Sequence, residues 1–262
     1  MNTAKKRSRC LAAAGLAFLG LIATSGAQVL VDTLGGGPRQ GHLAAAGYTD
    51  GNTFAVSQFN NPYGIALDST GNLFIADKSN GKVRKVTLPG DAANSLTSTF
   101  ATGLNQPVGV VFDGANNLYV LTQADGKIRK YNSFGNLIAT NVAGLTNATA
   151  ITIDGSTNLY VTQLIGTTNG VVKKITPAGV VTVVATNLNQ PKGLVMLDNG
   201  LIAVSDTGNH AVRLVNPANG VKTLLAGGNG AGFGDGLGAF AQFNQPHGVS
   251  KSPSGILVVA DK

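Results

Sequence analysis

The sequence contains no glutamate and no tryptophan, and its one cysteine, Cys10, stands near the amino end; all 12 acidic residues are aspartate. Without glutamate a His-Glu-x-x-His zinc site, a glutamate general base and the glutamate–lysine pairs of exposed helices are all excluded. Charged residues make up 12% of the chain, half of what soluble proteins usually carry. That is too little charge for a disordered chain. A length of 262 residues suits one sizeable domain.

What is present at the amino end is a pattern of export. Lys5, Lys6, Arg7 and Arg9 precede an apolar run of 14 residues, 10–23, and then the small residues Thr24-Ser25-Gly26-Ala27. This order predicts a secretory signal peptide over 1–27, cleaved after Ala27, and a secreted or periplasmic product. The run is shorter than the ~20 residues a bilayer requires, so no membrane segment is expected in the mature form. Arg9 before Cys10 argues against a lipid-anchored cysteine. The mature chain then lacks cysteine and depends on its core alone, which about 235 residues can supply.

The formal charge of +7 shrinks with the signal peptide, because 4 of the 19 basic residues leave with it and 15 remain against 12 aspartates. The remainder recurs in small clusters, Lys82-Arg84-Lys85, Lys127-Arg129-Lys130, Lys173-Lys174 and Arg213. Such spacing marks a repeated strand and not a basic groove, so no nucleic-acid partner is expected.

Five segments share one pattern, opening at Phe59, Leu104, Leu145, Leu188 and Phe243. A marker proline falls at Pro62, Pro107, Pro191 and Pro246, with Ala148 in the third copy, at spacings of 45, 41, 43 and 55. A period in the low forties is that of four-stranded propeller blades. Within each copy, short β-branched and aromatic runs alternate with Gly, Asn, Asp and Ser clusters, which read as strands and tight turns. Ser69-Thr70-Gly71-Asn72 and Asp198-Asn199-Gly200 are predicted to join first and second strands. Asn80-Gly81 and Asp125-Gly126 are predicted to precede the third.

These copies resemble the NHL-repeat family. Asp206-Thr207-Gly208-Asn209-His210-Ala211-Val212-Arg213 is similar to that family's Asn-His signature, and the Asn-x-Pro-x-Gly-Val openings to the rest of its motif. The linker at 232–238, leading into Gln242-Phe243-Asn244-Gln245-Pro246, resembles its glycine-rich blade connection. Residues 47–52 and 58–62 repeat that linker almost in step. The resemblance covers about residue 29 onward and implies an all-β propeller of four-stranded blades, four complete and one partial. Family members usually have six blades. The preferred expectation is therefore a six-bladed ring cut short at the C-terminus, with a five-bladed ring as the alternative. Residues 29–34 are expected to form the outer strand of the closing blade. Members include enzymes, nucleic-acid binders and protein-binding platforms, so the resemblance implies fold more firmly than function. The lactonase type of relative uses a glutamate metal ligand, which this sequence lacks.

Equivalent positions of a propeller converge on its axis. The residue between the marker proline and glycine is Tyr63, Val108, Thr149, Lys192 and His247 in turn, and these are the candidate ring of ligand contacts at one channel mouth. The loops before each third strand should share that face, adding Asp77, Asp206 and His210. Two aspartate series, Asp68, Asp113, Asp154 and Asp198, and Asp77, Asp206 and Asp261, recur once per blade. Recurrence suits turns, since a catalytic carboxylate is not needed in every repeat. Neither catalytic nor metal-binding residues are assigned. No cofactor is expected, although channel carbonyls and aspartate oxygens could hold a calcium ion. The glycine-rich run 227–238 lacks the spacing of a phosphate loop, and no Gly-x-Ser-x-Gly elbow occurs. The favoured expectation is a binding scaffold for a protein, peptide or glycan at the channel mouth. The alternative is a metal-assisted lyase or hydrolase using His247, His210 and neighbouring aspartates.

Overall fold

The computed structural model describes residues 46–52, 57–88, 95–142 and 144–262. The expected signal peptide, its cleavage point and the expected strand at 29–34 lie outside them. Among the described residues no helix is long and apolar enough to cross a membrane.

The chain is all-β, a propeller of antiparallel blades. Blade one holds β1 (Gly51–Asn52), β2 (Pro62–Leu67), β3 (Leu73–Asp77), β4 (Lys82–Thr87) and β5 (Leu96–Ala101). Blade two holds β6 (Pro107–Phe112), β7 (Leu118–Thr122), β8 (Lys127–Tyr131) and β9 (Leu137–Val142). Blade three follows with β10 (Ala148–Ile153), β11 (Leu159–Ile165), β12 (Asn169–Ile175) and β13 (Val181–Asn189). Blade four comprises β14 (Leu194–Met196), β15 (Ile202–Asp206), β16 (Ala211–Val215) and β17 (Lys222–Gly227), and the partial fifth has β18 (Val249–Lys251) and β19 (Leu257–Val259). Blades two to four are meanders in chain order. Blade one has one strand more than expected, because β1, from the linker, pairs with the outer strand β5 through Gly51↔Thr97. Asp50 holds it there, accepting hydrogen bonds from the Thr99 amide at 2.9 Å and hydroxyl at 3.1 Å.

The second strand of every complete blade is buried on both faces, apolar until its polar end, because each blade is sandwiched by its neighbours. All five residues of β3, β7 and β15 are buried. Phe74 and Val83 of blade one pack with Leu118, Val120 and Tyr131 of blade two. Leu121 and Ile128 meet Ile151 and Val161 of blade three, whose Tyr160 and Val172 in turn meet Ile202 and Val215 of blade four. Each such side chain contributes about 1.5–3 kcal/mol by leaving water.

The first strands β2, β6, β10, β14 and β18 lie innermost, each packed on the next around the axis. There the blades taper, and the glycines of the Pro-x-Gly openings in blades one, two and four are what let them meet. A Cβ on Gly64 would lie 2.5 Å from the Val108 carbonyl oxygen, and one on Gly193 2.4 Å from that of His247. On the face of β2 turned from blade two, Ile65 and Leu67 are exposed, as are Ile256 and Val258 of blade five.

The turn between first and second strands explains the first aspartate series. Asp68, Asp113 and Asp154 each accept the backbone N–H groups two and four residues on at 2.8–3.0 Å. Asp198 does not belong with them. The corresponding turn of blade four runs from Leu197 to Leu201, one residue out of step, and Asp198 instead pairs with Lys251 of blade five.

Candidate functional site

The second aspartate series forms a lock inside each blade. Asp77 is fully buried and accepts from the Asn60 amide at 2.7 Å, Asn80 Nδ2 at 2.7 Å and Arg84 Nη1 at 3.2 Å. Arg84, also fully buried, continues to the Thr49 carbonyl at 2.8 Å and to Asp50 at 2.5 Å. Blade four repeats this arrangement: Asp206 accepts from the Asn189 amide and from Arg213 Nε, both at 2.6 Å, and from Asn209 Nδ2 at 2.7 Å. Asp261 accepts the Asn244 amide in blade five at 2.7 Å. Blade two substitutes Thr122 and Asp125, which Arg129 joins at 2.9 and 2.8 Å, and blade three uses Gln163, donating to the Gly144 and Thr146 carbonyls at 3.1 and 2.8 Å. Asp77 and Asp206 are thus closed into their blades, which corrects their placement among channel-mouth contacts. A buried carboxylate must be paired, and these are.

His210 takes the left-handed backbone position before the third strand, φ 52°, where Gly81 and Gly126 stand in blades one and two. There the next residues turn at once into another blade, and a Cβ on Gly81 or Gly126 would strike that backbone at 2.6 or 2.5 Å. Blade four runs into the longer glycine-rich connector instead, so a side chain fits. Its Nδ1 accepts the Gln245 amide at 3.2 Å, tying the connector's end to blade four. This is a structural bond and takes His210 out of the ligand ring.

The five Pro-x-Gly residues divide in two. Val108 is packed within the core shared by blades two and three, and Thr149 is fully buried, its hydroxyl donating to the Pro191 carbonyl at 2.7 Å. The same type of stitch recurs from Gln123 Nε2 to the Ala148 carbonyl at 3.0 Å and from the Thr207 hydroxyl to the Pro246 carbonyl at 2.6 Å. Val108 and Thr149 therefore join blades and offer no surface to a ligand. Tyr63, Lys192 and His247 stay partly open.

Around these three gathers a residue that the repeat alignment did not single out, Lys78. It occupies the position of Gln123 and Thr207, directly after the lock, but its ammonium lies 5.4 Å from the centre of the Tyr63 ring. The column Lys78, Gln123, Leu164, Thr207 and Lys262, read down the repeats, carries the signal. Burial, and then repulsion from Lys192, holds the Lys78 ammonium below its ordinary range. Burial does the same to Lys192. His247 is lowered first by burial and then by Lys192 and Lys262. Burial likewise pushes the Tyr63 phenol up. Among the described residues no carboxylate pairs with Lys78, Lys192 or His247. Beside Lys78 a cleft of about 590 Å³ opens between blades one and two, lined by Asn61, Ser79, Asn80, Asn105 and Gln106. Among the described residues no three His, Cys, Asp or Glu side chains are grouped as a metal site would need.

A family model described as NHL repeat matches residues 188–213, from the end of β13 through the Asp206–Arg213 lock. Among curated proteins, the chloroplastic protein SUPPRESSOR OF QUENCHING 1 of Arabidopsis thaliana is 35% identical over 74 residues, 28% of this chain and 7% of that one. A Bacteroides thetaiotaomicron structural genomics protein of unknown function shares the fold at a TM-score of 0.66 and 18% identity, covering 82% of this chain and 56% of that one. An auxiliary nutrient binding protein of the same organism aligns at 0.62 and 15%, over 80% of this chain and 58% of that one. Virginiamycin B lyase of Staphylococcus aureus aligns at 0.54 and 12%, over 77% and 70%. This chain therefore spans little more than half of the two Bacteroides proteins and a small part of the plant protein. At such identities the solved structures share its architecture and no more. The chain thus has the β-propeller fold, and its fourth copy, residues 188–213, matches the NHL repeat.

Proposed function

We propose that this propeller is an exported binding platform that takes a protein, peptide or glycan at the channel mouth. The observation that carries the reading is the contrast within one set of equivalent positions. Val108 and Thr149 are spent on joining blades, whereas Tyr63, Lys192 and His247 remain partly open and gather with Lys78. A half-buried aromatic and cations that no carboxylate pairs among the described residues, held at strand ends, are what a recognition surface needs and a merely structural one avoids. The fold is used for capture elsewhere, as the name of the auxiliary nutrient binding protein says of that protein. A metal-assisted lyase or hydrolase reaction through His247, His210 and the neighbouring aspartates finds less support, because His210 Nδ1, Asp77 and Asp206 are engaged inside the blades.

Printed arrays of peptides and of glycans test the platform. Signals given by the wild-type chain are expected to vanish in Tyr63→Ala/Lys192→Ala and to persist in Asn199→Ala, at the opposite end of blade four. Signals that survive the double substitution would count against the mouth. Export is checked separately, by sequencing the amino end of protein recovered outside the cytoplasm, where Gln28 is expected first.

A further inference from the structure

We infer that the mouth recognises a uronic-acid-bearing oligosaccharide, a carboxylate seated among Lys78, Lys192 and His247 and neutral hydroxyls running into the cleft between blades one and two. This rests on the platform reading above and narrows its ligand.

The charge argument comes first. Asp77 and Asp206 are closed into the blade locks, Asp198 pairs with Lys251 and Asp261 accepts the Asn244 amide, so among the described residues no carboxylate is paired with the mouth cations. Lys192 and His247 stand at the heads of the neighbouring inner strands β14 and β18, where Gly193 meets the His247 carbonyl, and Lys78 lies over the ring of Tyr63, which holds the same position in blade one; repulsion from Lys192 on both Lys78 and His247 agrees with this. Two desolvated, mutually repelling ammonium groups cost stability unless an anion relieves them, and a carboxylate does so with strong charge-assisted hydrogen bonds. An anion arriving there would also oppose the repulsion from Lys192 and Lys262 that helps lower the His247 pKa.

The cleft decides between acidic ligands. Its free side chains, Asn61, Ser79, Asn105 and Gln106, are neutral and both donate and accept, which matches sugar hydroxyls that also do both. Asn80 lines it too, although its amide already serves Asp77 and the Gly47 carbonyl. An acidic peptide would bind best by adding a strand to a sheet edge. The cleft offers none, since its walls are the turn 78–81 and the connecting residues 104–106.

Isothermal titration of the full chain with hexagalacturonic acid, its fully methyl-esterified form and hexaglutamate tests the inference. The free acid is expected to bind, and the ester at least tenfold more weakly. Lys78→Gln and Lys192→Gln should each lower affinity for the acid about tenfold or more, the worth of one charge-assisted hydrogen bond. Affinity should also fall with added salt. Circular dichroism melting of each variant shows that it is folded. Equal binding of acid and ester overturns the inference and leaves the platform standing. So does lysine-dependent binding of hexaglutamate alone. Binding unchanged in both lysine variants and in Asn105→Ala overturns the inference and the platform together, and so does binding of none of the three probes by a chain whose printed arrays are also blank.

Discussion

Asp77 and Lys78 are neighbours in the chain and opposites in the fold. Asp77 ends β3 inside the blade, where every hydrogen bond is answered by Asn60, Asn80 and Arg84. One residue later, Lys78 lies over the Tyr63 ring and is repelled by Lys192, with no carboxylate paired to it among the described residues. The lock recurs with substitutions in each complete blade, while the mouth differs from blade to blade. What repeats holds the propeller together, and what varies is free to recognise something. The difference should appear as opposite responses to mutation.

The largest effect belongs to the lock. Arg84→Met leaves Asp77 buried without its partner and should cost about 3–5 kcal/mol in a urea titration. Arg129→Gln, where the pair is partly exposed, should cost about 1 kcal/mol or less. Equal losses would erase the distinction between closed and open pairs.

Next come the stitches. Thr149→Val keeps the shape but leaves the Pro191 carbonyl unpaired between blades, for an expected loss of about 1–3 kcal/mol. Replacing Lys192 should act in the other direction. Burial lowers the pKa of its ammonium, so Lys192→Gln is expected to leave the melting temperature unchanged or raise it. A marked fall would mean that Lys192 is bonded into the scaffold.

The smallest effect is one of pH. In the folded chain His247 titrates below its ordinary 6.5, so just below that pH the unfolded chain binds more protons. Stability should therefore rise with pH through this window and fall as acid is added. His247→Asn should flatten the slope in chemical denaturation between about pH 5 and 7. A wild-type slope of the opposite sign would place a counter-charge at the mouth.

The blade architecture was legible because the marker prolines, the aspartates and the Asn-Gly turns repeat at one period, and turn chemistry is local. The tying of strand ends was partly legible, as an aspartate recurring once per blade reads as a structural element. Which side chains remain free was not legible, because that depends on contacts between blades. Thr149 and Tyr63 occupy one column of the repeat, yet a stitch to Pro191 closes the first and nothing comparable closes the second. Asp198 falls in the aspartate series by sequence, yet the turn starts at Leu197, one residue earlier. Lys78 carries no repeat signal of its own beside Asp77, and its role depends on Tyr63 and on Lys192, contributed by a blade far along the chain.

The most direct test crosses the two regions in one experiment, measuring melting temperature and hexagalacturonic acid affinity for Lys192→Gln and Arg129→Gln side by side. The account predicts that Lys192→Gln loses affinity and keeps its melting temperature, while Arg129→Gln melts lower and binds as the wild type does. Affinity that follows melting temperature in both variants would contradict it.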